Sequence, residues 1–172
     1  GSADSYQAQR LRKDYINLDK KFAIQYKSEI TNKPQILSQF NQRTQKMVQS
    51  DEYWSLSGRG GRFETWLQSE LGASGNFKSG GKEFDGKVGN IWIEAKSGNY
   101  WAQRPLESKL LHKFKSDIVD AKGIAESNGG ILQIHSDVRL PAHISEYLIR
   151  KGIEFKIHTI FLEVEPCPRI LL

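Results

Sequence analysis

The sequence predicts an α/β (α+β) fold: a mixed central sheet of about four to five strands, flanked by helices, with a helical extension ahead of it. Three observations lead there. After residue 57, apolar residues at helical spacing alternate with short strand-like apolar runs. Those segments follow the order helix, hairpin, helix, strand, helix, strand. Before residue 57 the chain is polar, helix-periodic and poor in core residues for its length. The expected division is a helical N-terminal extension, residues 3–56, and a mixed core, residues 57–172.

Residues 5–31 lack Gly and Pro and place Leu11, Tyr15, Leu18, Phe22 and Tyr26 on one helical face. "TNKP", Thr31–Pro34, breaks that helix. A second helix is expected over residues 35–50, with Ile36, Leu37, Phe40 and Met47. "SGRGGR", Ser57–Arg62, reads as a glycine-rich loop. A short helix follows, with Phe63, Trp66, Leu67 and Leu71 on one face and Gly72 as its stop. Residues 72–81 are rich in Gly, Ser and Asn and read as a loop. "KEFDG" and "NIWIEAK" then flank a short turn.

Residues 106–126 form the clearest helix, with Leu106, Leu110, Leu111, Phe114, Ile118, Ala121 and Ala125 at helical spacing. "SNGG" ends it. "ILQIHSDV", Ile131–Val138, alternates like a strand. A helix begins after Pro141 and stops at Gly152, and Ile153–Glu165 is the last strand.

The totals exclude several classes. At 172 residues, with 38% hydrophobic and 26% charged, the chain is an ordinary globular protein, one domain by default. No apolar run is long enough to cross a membrane, and no signal peptide is visible. The single cysteine, Cys167, forms no internal disulfide and no zinc ribbon. Gly1-Ser2 reads as the scar of a protease cleavage, so the chain is expected to be a piece of a longer one. Net charge is +5, which suits a polyanionic partner without demanding one.

The chemistry concentrates in "NIWIEAKSGNYW", Asn90–Trp101. Strand side chains alternate, so Trp92, Glu94 and Lys96 share one face. Ile91, Ile93 and Ala95 share the other, expected to pack into the core. With Gly89-Asn90 as a two-residue turn, Val88 pairs with Ile91, Lys87 with Trp92, Gly86 with Ile93, and Asp85 with Glu94. Opposed residues point to the same face with Cβ atoms roughly 5 Å apart. Two carboxylates would then stand side by side, with Lys96 next in line. Opposed like charges are destabilising. A Mg²⁺ or Mn²⁺ ion compensates them, because a hard cation takes one or two carboxylates plus waters or phosphates. Metal, carboxylates and ammonium together suit hydrolysis of a phosphodiester. The alternative is a salt bridge on a solvated sheet face.

"EFDG…NIWIEAKSG" resembles the PD-(D/E)XK, or restriction-endonuclease-like, nuclease superfamily. The resemblance covers residues 58–165 and implies a restriction-endonuclease-like core with Asp85, Glu94 and Lys96 as its motif. The Pro that often precedes the Asp is absent, Phe84 standing in its place. The family's first core helix often adds a metal-binding Glu, and "GGRFETWLQSEL" offers Glu64 there. Its rival is Glu70, which lies nearer the middle of the apolar face at about 100° per residue. The resemblance implies Asp85, Glu94 and Glu64, with the Ala95 backbone carbonyl, as metal ligands, and Lys96 to position or activate the water. DNA, tRNA and other RNA substrates all remain open.

Several further residues are candidate substrate contacts. Arg59 and Arg62 stand where a helix N-terminus attracts phosphate, or else on a solvated loop. Ser97 follows the motif directly. Gln133 and His135 would either touch substrate or be satisfied structural groups on a strand beside Glu94–Lys96. Lys109, Lys113, Lys115 and Lys122 line exposed faces of the long helix and either track a backbone or are simply solvated. His112, His143 and His158 show no metal spacing and read as ordinary. Ser57, Ser97 and Ser108 lack a nucleophile-elbow context.

"EFDG…IEAKSGNY", followed by "LPAHISEYLIRKGIEFKI", is similar to restriction-endonuclease-fold toxin domains at the C-termini of large bacterial polymorphic toxins, contact-dependent inhibition effectors among them. That implies a domain secreted or surface-delivered as part of a larger toxin, acting in the target-cell cytoplasm and neutralised by a cognate immunity protein. The N-terminal helices would then serve delivery or immunity binding. A repair, recombination or mobile-element nuclease, and a non-catalytic basic nucleic-acid-binding module, are the competing readings.

Overall fold

The computed structural model describes residues 19–159, Phe22 and Ser57 excepted. Leu11, Tyr15, Leu18, Phe22, Cys167 and the expected strand beyond residue 159 lie outside the described residues. The chain divides into two compact units, Gly1–Arg62 and Phe63–Leu172, so the boundary falls after Arg62 and not after residue 56.

The N-terminal unit holds α1 (residues 19–31, position 22 aside), α2 (Pro34–Leu37), α3 (Gln42–Val48) and α4 (Asp51–Trp54). The single helix expected over 35–50 is broken. Asn41 accepts the Thr44 N–H at 2.8 Å and starts α3 afresh, and Ser50 accepts the Tyr53 N–H at 3.3 Å and starts α4. Such side chains compete with the helix for backbone donors. Tyr26, Ile30, Phe40, Val48, Tyr53 and Trp54 are buried. Arg62 is buried with them and ion-paired to Asp19 at 2.8 Å.

Helix α5 runs Gly58–Leu71, so "SGRGGR" is not a loop: its glycines and arginines form the first turns. Glycine costs about 1 kcal/mol relative to alanine inside a helix. Here tertiary packing of Phe63, Trp66 and Leu67 overrides that preference. Gly72, at φ +72°, ends the helix as expected.

The second unit contains a two-stranded sheet, β1 (Phe77–Ser79) and β2 (Lys82–Phe84), and a mixed four-stranded sheet, β3 (Gly86–Val88), β4 (Ile91–Lys96), β5 (Ile131–Ser136) and β6 (Glu154–Ile157), in that order. Residues 72–81 are therefore not all loop. Gly80 and Gly81 both take positive φ and make a tight hairpin turn into β2. The β3–β4 register is the expected one: Val88 opposite Ile91, Lys87 opposite Trp92, Gly86 opposite Ile93. β4 and β5 are parallel, as are β5 and β6.

Helices α6 (Lys109–Ser127) and α7 (Ala142–Lys151) supply the connections. α6 starts later than its periodicity suggests. Glu107 sits at φ +65°, and the Ser108 hydroxyl caps the helix by accepting the Leu111 N–H at 3.1 Å. Leu106 precedes the helix, and Leu106 and Leu110 are both exposed, while Leu111, Phe114, Ile118, Ala121 and Ala125 form the buried stripe.

Both faces of β4 are covered. Ile93 is 1% exposed, as expected, but Trp92 on the opposite face is only 4% exposed and joins the main core cluster with Phe84, Phe114, Ile118, Leu132 and Ile134. The face that carries Glu94 and Lys96 is thus core at its start and polar at its end. Gly130 makes this fit: a Cβ there would lie 2.6 Å from Trp92 Nε1. Among the described residues, no helix is long and apolar enough to cross a membrane.

Candidate active site

Asp85 stands at the bend between β2 and β3 and does not extend the ladder opposite Glu94. Its N–H donates to the Ile93 carbonyl at 2.9 Å. Its carboxylate Oδ2 accepts the Ala95 N–H at 2.7 Å. The side chain therefore takes the place of the missing strand partner and lies along the edge of β4. In an extended strand, one residue's N–H and C=O point to the same edge. The Ala95 carbonyl consequently shares that edge with the Asp85 carboxylate.

Helix α5 brings Glu64 to the same place. Its carboxyl lies beside that of Asp85, and its pKa is pushed up to about 8, by burial first and then by Asp85. Glu70, its rival, acts instead on the charge environment of His158. Of the two, Glu64 is the one that lies beside Asp85.

Glu94 projects from the other face of β4, toward α6. Burial pushes its pKa up to about 7, against the pull of Lys96. Lys96 Nζ lies 3.5 Å from Glu94 Oε2 and 4.6 Å from the centre of the Tyr100 ring. Burial opposes the Lys96 charge, but Glu94, Tyr100 and Asp85 outweigh it, and the net shift is upward. The ammonium is the resting form. Glu94 and Lys96 open into a cavity of about 260 Å³, lined also by Lys82, Glu83, Tyr100 and Asp117.

Two protonated-leaning glutamates beside Asp85 and one lysine describe a site with more potential negative charge than its own cation balances. Carboxylate and carbonyl oxygens are the donors a hard divalent cation takes. Among the described residues, no three His, Cys, Asp or Glu side chains converge closely enough to hold an ion by themselves. Mg²⁺ suits such a set, because it takes one or two carboxylates and keeps waters for its other positions.

The remaining sequence candidates separate from this cluster. Arg62 belongs to its ion pair with Asp19, and Arg59 lies 5.7 Å over the Tyr26 ring, both within the N-terminal unit. The Ser97 carbonyl accepts the Tyr100 N–H at 3.3 Å and starts the turn after β4. Lys113 is paired with Asp117 at 2.9 Å and Lys122 with Glu126 at 2.7 Å, while Lys109 is exposed on the first turn of α6. The lysines do not form a continuous unpaired row.

β5 does run beside Glu94–Lys96, with His135 opposite Ala95. His135 is 1% exposed and fully engaged. Its Nε2 lies 2.7 Å from Gln133 Oε1 and its Nδ1 lies 2.8 Å from His158 Nε2. An amide oxygen only accepts, so Nε2 carries the proton, and His158 Nε2–H donates to His135 Nδ1. Gln133 passes the chain on to Glu154 at 3.3 Å. This is a structural network under Phe63 and Trp66, whose rings lie 6.0 and 5.0 Å from His158. Strand spacing accounts for Gln133 and His135 being neighbours; nothing local marks His158 as their partner.

The sequence reading also missed Lys82 and Tyr100. Lys82 Nζ donates to the Asp117 carbonyl at 2.7 Å and lines the same cavity as Lys96. Comparison with protein-family models, with curated proteins and with solved structures finds no match to this chain.

Proposed function

We propose that the chain is a metal-dependent nuclease that hydrolyses a phosphodiester bond. One observation carries this: Asp85, at the edge of β4, acts on the charge of both Glu64 from α5 and Glu94 from the strand end, and Glu94 and Lys96 line an open polar cavity. The resemblance of "EFDG…NIWIEAKSG" to the PD-(D/E)XK superfamily supports the same reading, as does the agreement in element order.

Asp85 and Glu94, with Glu64 and the Ala95 carbonyl, would hold Mg²⁺ or Mn²⁺. When bound, the ion supplies Lewis-acid neutralisation of the phosphate's developing charge. The protein's own part is positioning. Lys96, charged at neutral pH, cannot accept a proton; it donates hydrogen bonds to the attacking water or to a non-bridging phosphate oxygen. Without metal, Glu64 and Glu94 have pKa values pushed up to about 8 and about 7, so binding the ion would displace their protons. Water oxygen adds to phosphorus in line and gives up a proton to solvent as the P–O bond to the leaving group breaks, and the leaving oxygen takes a proton from solvent.

The similarity to toxin domains further supports a place at the C-terminus of a larger interbacterial toxin, secreted or surface-delivered, acting on DNA or tRNA in the target-cell cytoplasm and blocked by a cognate immunity protein. The competing account is a basic binding module.

The test compares wild type, Glu94→Gln and Lys96→Ala on plasmid DNA and total tRNA, in Mg²⁺ and in EDTA. Cleavage by wild type alone, and with metal alone, is expected. If all three proteins bind both substrates alike and cut neither, the nuclease reading fails and the binding module replaces it.

A further inference from the structure

The turn after β4 is held from several sides. Gly98 N–H donates to Asp137 Oδ1 at 3.0 Å, Trp101 Nε1 donates to Ser136 Oγ at 3.0 Å, and His143 Nε2 donates to the Arg104 carbonyl at 2.9 Å. Within this turn, Tyr100 packs edge-on against Trp101, at 5.0 Å and 87°, and against Phe114, at 6.2 Å and 73°. The Arg104 guanidinium carbon lies 3.4 Å from the Tyr100 ring centre, and Nη1 donates to the Tyr100 carbonyl at 2.8 Å. Arg104 Nε is buried with no hydrogen-bond partner, so the ring contact and that one bond hold this side chain in place. The ring is thus gripped on its edge and by a guanidinium, and Lys96 Nζ still lies 4.6 Å from its centre.

A lysine ammonium on four methylenes is floppy, and one contact with Glu94 at 3.5 Å leaves it several rotamers. An aromatic face attracts the cation without neutralising it and without taking its three donors. Glu94 can be drawn to a metal, whereas the ring stays with the lysine.

We propose that Tyr100 is the positioning residue for Lys96, and that its ring face, not its hydroxyl, keeps the ammonium aimed into the cavity beside Glu94. This rests on the nuclease reading above. Tyr100 touches no reacting atom itself; it acts through Lys96. The turn sequence "SGNYW" then has a reason for an aromatic residue at its fourth position.

The experiment compares Tyr100→Phe, Tyr100→Leu and Tyr100→Met, each checked for folding by circular dichroism. The first readout is independent of activity: the Lys96 ε-methylene protons should show an upfield ring-current shift in wild type and Tyr100→Phe, lost in Tyr100→Leu. The second is cleavage in Mg²⁺. Tyr100→Phe should keep kcat within about threefold, while Tyr100→Leu should lose about 10- to 100-fold in kcat with KM little changed, because small misplacements of a catalytic group cost that much. Tyr100→Met replaces Tyr100→Leu should the latter not fold. Absence of the ring-current shift in wild type overturns the proposal. So does full activity in Tyr100→Leu, or a Tyr100→Phe variant as poor as Tyr100→Leu. Wild type inert on every substrate removes the nuclease reading and this inference together, and is told apart by wild type itself being inactive.

Discussion

The Asp85 carboxylate accepts the backbone N–H of Ala95 at 2.7 Å, so a side chain, not a strand, completes the edge of β4 beside Glu94 and Lys96. Asp85 thereby has two separable tasks: a neutral acceptor suffices for the N–H, while a cation needs the charge. Asp85→Asn should keep stability within about 1 kcal/mol, whereas Asp85→Ala, which leaves the N–H unpaired, should cost about 1–3 kcal/mol. Both should lower metal-dependent cleavage by about 100-fold. Urea denaturation beside a cleavage assay separates the tasks. Equal stability for the two variants would show the hydrogen bond to be immaterial.

Glu64 and Glu94 have ordinary values of 4.5, raised to about 8 and about 7 in the folded protein. The folded state therefore binds more protons than the unfolded state between those limits. Stability contributed by the protonated forms is complete below pH 4.5 and lost as pH rises through the folded values. Metal-free protein should lose Tm between pH 6.5 and 8, and Mg²⁺ should raise Tm more at pH 8 than at pH 6. Glu64→Gln with Glu94→Gln should flatten both trends in differential scanning fluorimetry. A Mg²⁺ effect independent of pH would argue against these carboxyls as ligands.

His135 behaves oppositely. Burial, then His158 and Lys156, lower its pKa from 6.5 to about 3, and burial lowers that of His158 as well. The neutral forms are favoured on folding. Their contribution is present above pH 6.5 and lost as pH falls toward the folded values, by at most about 1.4 kcal/mol per pH unit for each histidine. Between pH 4.5 and 6.5 this loss opposes the gain from Glu64 and Glu94. It should stand clear in the Glu64→Gln, Glu94→Gln background, where stability should drop below pH 6.5. His135→Leu in that background should reduce the drop. An unchanged acid slope would locate it elsewhere.

Gly130 is held against Trp92, where a Cβ would sit 2.6 Å from Nε1. Gly130→Ala must push the indole off its place in the core, at a cost of about 1–3 kcal/mol. Thermal denaturation should report it, with Trp92→Phe in the same background restoring part of the loss. Unchanged stability would mean that the indole has room to move.

Features dictated by local chemistry were legible in the amino-acid order. Alternation placed Glu94 and Lys96 on one face of β4, and Gly89-Asn90 set the β3–β4 register, because strand period and turn geometry act over a few residues. Gly72 and Gly152 stop their helices in the left-handed conformation for the same local reason. Local signals also misled. Gly58–Arg62 is helix, since burial of Phe63 and Trp66 outweighs glycine's preference, and Asn41 and Ser50 split one apolar period into separate helices. Which distant groups meet emerges from the packed fold: Glu64 with Asp85, His135 with His158, Asp19 with Arg62, and Lys96 with the Tyr100 ring. Each of those meetings depends on how helices and turns pack on a sheet or on one another. Packing follows from summed burial over many side chains, which no short stretch of sequence displays.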